Sequence, residues 1–103
     1  MARPYSQKFL MEVFSHEKPT LGIELARLCV KANLNSSHVA EALDVSRATV
    51  HSWFRGATIN KSRHDLVLAF IKLVTKDTEE GVLPVTTSKG SKNYIESMLG
   101  RTI

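Results

Sequence analysis

Residues 35–56 read NSSHVAEALDVSRATVHSWFRG, and the fold turns on this stretch. Its apolar residues Val39, Ala40, Leu43, Val45, Val50 and Trp53 follow the spacing of two short helical faces with one interruption. Asn35 or Ser36 can cap the first helix by accepting hydrogen bonds from its orphan backbone donors, and that helix ends at Leu43 or Asp44. Ser46 is a good cap for the second, which runs to about Arg55 and is stopped by Gly56. The expected helices are therefore about 36–43 and 47–55. Between Leu43 and Ser46 stand only Asp44 and Val45, so the two helices must cross steeply and cannot lie antiparallel.

Outward from this pair the chain reads as further helices. Pro4 suits a first helical position, and Tyr5, Phe9, Leu10, Val13 and Phe14 repeat at helical spacing to Phe14. Ser15 to Lys18 is a polar break, after which Pro19 opens a helix with Leu21, Leu25, Leu28, Cys29 and Ala32 on one face. Asn33 stands at its end, and asparagine tolerates the left-handed conformation such a stop requires. Arg63 to Lys76 is a long helix apolar over much of its girth, which predicts a central place in the core. Thr86 to Asn93 reads as a loop, and Asn93 to Leu99 as a last short helix with Tyr94, Ile95, Met98 and Leu99 on its face. The expected fold is all-α, a bundle of four to five helices around one core. Residues 1–103 form one domain: an N-terminal helical extension (1–18), a core (19–76), and a C-terminal loop and short helix (77–103).

The totals exclude several classes. No apolar run is long enough to span a membrane, and no signal-peptide apolar region stands at the N-terminus. The single cysteine, Cys29, cannot make an internal disulfide, which fits a reducing, cytoplasmic setting. His16, His38, His51 and His64 share no metal-ligand spacing, and Cys29 lies on a core face, so no metal site is expected. No glycine-rich phosphate loop is present, and no enzyme and no cofactor is expected.

The net charge of +4 has a location. Residues 1–17 and 65–103 each balance to zero, so the whole excess lies in residues 18–64, where seven basic residues face three acidic ones. Within it, the twenty residues from Val45 to His64 contain no acidic side chain. They do contain Arg47, Arg55, Lys61, Arg63, His51 and His64. A polyanion partner is the simplest use of such a patch, and a solvated surface is the alternative.

With those residues in view, 20–72 resembles the Cro/lambda-repressor-type helix-turn-helix family. The matching points are Leu34 leading in, small Ala40 where two helices touch, and Val45 in the turn. They continue with Ser46-Arg47-Ala48-Thr49 opening the 47–55 helix, apolar Val50 and Trp53 behind it, and Trp-x-x-Gly ending at Gly56. Two positions depart from the family pattern: Asp44 stands where glycine is frequent, and Phe54 where an acidic residue is common. Phe54 is therefore expected to pack against the long helix or the N-terminal segment. Arg3-Pro4-Tyr5-Ser6 before this pair is also similar to the N-terminal DNA-binding region of some transposases, without their acidic catalytic domain downstream.

The resemblance implies roles residue by residue. The 47–55 helix would enter the major groove of double-stranded DNA, with Arg47 bonding a guanine edge and Ala48, Thr49 and Ser52 lining the same groove. His51 would touch a base or a phosphate. Ser36 and Ser37, at the start of the preceding helix, suit a phosphate, as do Ser46, Arg55, Lys61 and Arg63. It implies a homodimer on a near-palindromic operator, dimerised through the N-terminal helix or, preferably, the C-terminal region. It further implies a repressor that occludes a promoter, of the kind suited to a phage or mobile element. The alternative is a helix-turn-helix scaffold used as a protein-interaction module, for example on a polymerase subunit; structured RNA is a more distant third.

Overall fold

The computed structural model of the chain describes residues 5–15 and 20–103. Among the described residues there are six α-helices and no strand: α1 (Gln7–Ser15), α2 (Leu21–Ala32), α3 (Ser36–Leu43), α4 (Arg47–Phe54), α5 (Lys61–Glu79) and α6 (Ser88–Leu99). The fold is all-α as expected; its six helices each overlap one of the six helical segments read from the sequence, against the four to five expected in the bundle. Pro4 and Pro19 lie outside the described residues, but both helices start later than expected: Tyr5 and Ser6 are not helical and α1 begins at Gln7, while Thr20 is the cap of α2, which begins at Leu21.

Local chemistry explains most boundaries. Thr20 caps α2 by accepting from the Ile23 amide at 3.2 Å, Asn35 caps α3 by accepting from Ser37 at 2.8 Å, and Ser46 caps α4 by accepting from Thr49 at 3.1 Å. Asn33 and Asp44 end α2 and α3 with φ of 59° and 54°, the left-handed stop that short polar side chains tolerate. Gly56 takes φ of 104° just beyond α4, which ends one residue short of the expected Arg55.

Two helices differ from the sequence expectation. α5 spans 61–79 against the expected 63–76, because Asn60 caps it and the Thr78 hydroxyl donates back to the Val74 carbonyl near its end. Nor is α5 central. Only Val67, Phe70 and Val74 are buried, while Leu66, Leu68 and Leu73 remain exposed. α6 begins at Ser88, inside the expected loop, because Thr87 accepts from the Gly90 amide at 2.9 Å. Its buried Ser91 accepts from the Asn35 amide at 2.9 Å and bonds His38 Nδ1 at 2.8 Å, which ties α6 to the start of α3.

One apolar core runs through the bundle, from Val13 of α1 through Leu25, Leu34, Val39, Val50 and Phe54 to Ile95 of α6. α2 packs on α1, α4 and α5, and α3 packs on α4, α5 and α6. The segments considered for dimerisation are committed to this core in part, with Met11, Phe14 and Val82 left exposed. Ile95 and Leu83 are buried, Val85 is held by the Ala32 carbonyl and the Asn33 side chain, and Tyr5 and Phe9 lie against Phe54. No helix among the described residues is long and apolar enough to cross a membrane.

Candidate nucleic-acid interface

α4 is eight residues long, too short to hold itself helical in water, so its geometry is set by what it packs on. Val50, Trp53 and Phe54 are buried on its inner side. Gly22 of α2 receives it from below: a methyl group added there would stand 2.2 Å from the Trp53 carbonyl oxygen. Only a residue without a side chain lets the two backbones come so close. Phe54, expected to pack on α5 or the N-terminal segment, packs on the latter. Its ring centroid lies 6.2 Å from Tyr5 and 6.1 Å from Phe9, whose rings stack on each other at 5.2 Å. The Tyr5 hydroxyl donates to the Leu34 carbonyl at 2.8 Å, so this aromatic group is pinned to the segment between α2 and α3.

The outer side of α4 carries Arg47, Ala48, His51, Ser52 and Arg55, all exposed. Arg47, His51 and Arg55 recur every four residues and form one row. Thr49 is half-buried, and its hydroxyl bonds the Ser46 cap at 2.9 Å. The Ser36 hydroxyl at the start of α3 lies 3.0 Å from His51 Nε2, so the α3 N-terminus and the middle of α4 form one surface. Burial and then the charges of Arg47 and Arg55 lower the His51 pKa below its ordinary 6.5, which leaves the ring neutral near pH 7. Ser37 sits half-buried in the first turn of α3, with its amide held by the Asn35 cap.

Lys61 and Arg63 belong to a different element. They stand in the first turn of α5, separated from α4 in the chain by the connection from Arg55 to Asn60. Among the described residues, no ion pair engages Arg47, Arg55, Lys61 or Arg63. The first turns of α3, α4 and α5 lack acidic residues, as do those of α1 and α6; only α2 carries one, Glu24.

Two contributions escaped the sequence reading. Gly22 is one, although a glycine inside an apolar helical pattern is itself a sign of close backbone approach. The other is a cleft of about 240 Å³ beside α4, floored by Tyr5, Phe9 and Phe54 and rimmed by Ser6, His51 and Arg55, which no local pattern announces. Among the described residues, no cluster of histidine, cysteine or acidic side chains could hold a metal ion. Cys29 is fully buried, and burial pushes its thiol pKa up, so the thiolate a ligand or nucleophile needs is disfavoured. Comparison with protein-family models, curated proteins and solved structures gives no match.

Proposed function

We propose that the protein is a sequence-specific, double-stranded DNA-binding transcriptional regulator. In this reading α3 and α4 form a helix-turn-helix, α4 enters the major groove, and the protein represses by covering a promoter as a twofold dimer on a near-palindromic operator. The observation that carries the reading is the outer face of α4. It is a row of unpaired cations and small polar groups, free of acid, on a helix whose opposite face is locked into the core.

The face fits the groove chemically. Arg47, at the first position of α4, can reach a guanine edge with two parallel hydrogen bonds, the commonest specific contact. Ala48 and Ser52 offer a methyl for thymine and a hydroxyl for either base type. Neutral His51, held by Ser36, presents Nδ1 to a base edge or a phosphate. Ser36, Ser37, Ser46, Arg55, Lys61 and Arg63 supply phosphate contacts, which set position and orientation but carry no sequence information.

The test is selection of binding sequences from a random duplex pool with the purified protein, followed by salt titration on the enriched site. The reading requires a near-palindrome bound well above background, with affinity falling steeply as salt rises. A pool that enriches nothing, with only weak salt-sensitive binding, removes the reading and leaves the protein-interaction alternative in its place.

A further inference from the structure

α5 carries more apolar surface than its own chain covers. Val67, Phe70 and Val74 face the core, but Leu66 and Leu73 keep 41% and 39% of their surface exposed. Leu66, Ala69, Phe70 and Leu73 fall at three- and four-residue spacing on one side of the helix. With Met98 and Leu99 of α6 they line an open groove of about 240 Å³. Beside this stripe runs a second row, Asp65, Ala69, Lys72 and Lys76, spaced by four, three and four residues. All four are exposed, and among the described residues none of the three charges is in an ion pair.

We propose that a second copy of this chain occupies the groove, with the two α5 helices antiparallel across a twofold axis at Ala69. The arrangement of charges selects this partner and this direction. In an antiparallel pair centred on Ala69, a residue some places before it on one helix faces the residue the same number of places after it on the other. Asp65 then lies one residue along the axis from Lys72 of the facing copy and three from its Lys76, roughly 1.5 and 4.5 Å at about 1.5 Å per residue. Within this row the nearest like charges, Lys72 with Lys72, stand six residues apart, roughly 9 Å, and Asp65 with Asp65 eight apart, roughly 12 Å; on the same side of the helix, Lys61 lies one residue from the facing Lys76 and two from its Glu79. Within three residues' offset, well inside a screening length of about 8–10 Å, three opposite-charge pairs (Asp65–Lys72, Asp65–Lys76 and Lys61–Glu79) therefore stand against one like pair (Lys61–Lys76). A parallel pair would set Asp65 on Asp65 and Lys72 on Lys72.

The apolar residues agree with the charges. Leu66 of one copy meets Leu73 of the other, and each enters the groove bounded by Met98 and Leu99. Ala69 at the crossing point lets the axes approach toward the low end of the usual 8–10 Å separation. Such an interface is isologous, the same patch on both subunits, and closes as a dimer. It centres the dimer surface on α5 and takes from the C-terminal helix only the Met98 and Leu99 edge, since Ile95 of that helix is buried in the chain's own core.

The inference takes from the DNA reading only the requirement for a dimer, and it is tested on the full chain without DNA. Sedimentation equilibrium should show a reversible dimer between about 1 µM and 1 mM, and Leu73→Lys should weaken it at least about tenfold with unchanged circular dichroism. Mild oxidation of Ala69→Cys should give a covalent dimer, with buried Cys29 taking no part. Asp65→Lys and the double variant Lys72→Asp/Lys76→Asp should each be monomeric alone and should pair when mixed, because both sets of opposed charges are then complementary. A chain monomeric throughout that range overturns the proposal. So does a dimer that is insensitive to Leu73→Lys and to both charge variants, with no cross-link at Ala69→Cys. If either result accompanies an enriched operator, the DNA reading stands and only this interface falls.

Discussion

Gly22→Ala should destabilise the protein, although alanine is the better helix former. The added methyl would stand 2.2 Å from the Trp53 carbonyl oxygen, 2.8 Å from the carbonyl carbon and 3.1 Å from Cα. Ordinary contact begins near 3.4 Å, so α2 and α4 would have to separate by more than 1 Å. The obstacle is backbone and cannot swing aside, and the Trp53 oxygen is further held by the Gly56 amide at 3.0 Å. Over-packing of this kind costs about 1–3 kcal/mol, and a backbone obstacle belongs at the upper end. Helix propensity returns at most about 1 kcal/mol, and less at the second position of a helix. The net loss is therefore about 2 kcal/mol, which lowers the urea midpoint by about 1–2 M at a typical m-value. Equilibrium unfolding in urea, followed by tryptophan fluorescence from Trp53 and by circular dichroism, measures it. A midpoint unchanged or raised would mean that α4 does not rest on α2 at this point, and the account of how α4 is positioned would fail.

Three further outcomes are expected. Arg47→Ala should cost about 1–3 kcal/mol on the selected duplex and little on random duplex, read by fluorescence anisotropy; equal losses on both would remove Arg47 from base reading. Lys61→Ala should weaken both duplexes alike and flatten the salt dependence of binding by about one counterion, and a change confined to the selected duplex would contradict a phosphate role. Burial and then Lys92 hold the His38 pKa below its ordinary 6.5, with Glu96 opposing, so the fold favours the neutral ring. The unfolded chain then binds more protons between the two pKa values. The contribution is full above 6.5 and is lost as pH falls through the lower folded value, so the urea midpoint should drop on acidification below 6.5. His38→Gln should make that drop shallower, and identical pH profiles for the two proteins would count against it.

The parts of the fold legible in the sequence are those decided within a few residues. The ends of α3 and α4 follow from Asn35, Asp44, Ser46 and Gly56, each acting on its own neighbourhood, and they fall within a residue of expectation. The start of α6 was not legible, because its first six residues are polar or glycine. What holds them helical is the Thr87 cap together with Ser91, whose buried hydroxyl is matched by Asn35 and His38 more than fifty residues away in sequence. α5 was misjudged for another reason. Apolar residues around a whole helix imply burial only if neighbours exist on every side, and α5 has them on one. At the candidate site, the exposure of Arg47, His51 and Arg55 follows from helical period once Val50 and Trp53 are assigned inward. The Ser36–His51 bond and the approach of Gly22 depend on how helices pack, and a linear pattern does not carry them.

How α4 is held also bears on which substitutions can separate binding from stability. A helix of eight residues contributes little of its own order, so its register comes from the Ser46 cap, Val50 and Trp53, and Phe54 under the Tyr5–Phe9 stack. Changes on that inner side move the outer side with it, so under the proposed DNA reading they should alter affinity and stability together. Arg47, Ala48, Ser52 and Arg55 touch solvent and carry no described side-chain bond, so changing them can alter affinity with the fold intact. His51 lies between the two classes, since its bond to Ser36 joins α3 and α4 while its ring faces outward. In the proposed DNA reading, the N-terminal aromatics would thus act on binding without touching the ligand. By covering Phe54 they fix the C-terminal end of α4, and with it the direction in which Arg55 and His51 point.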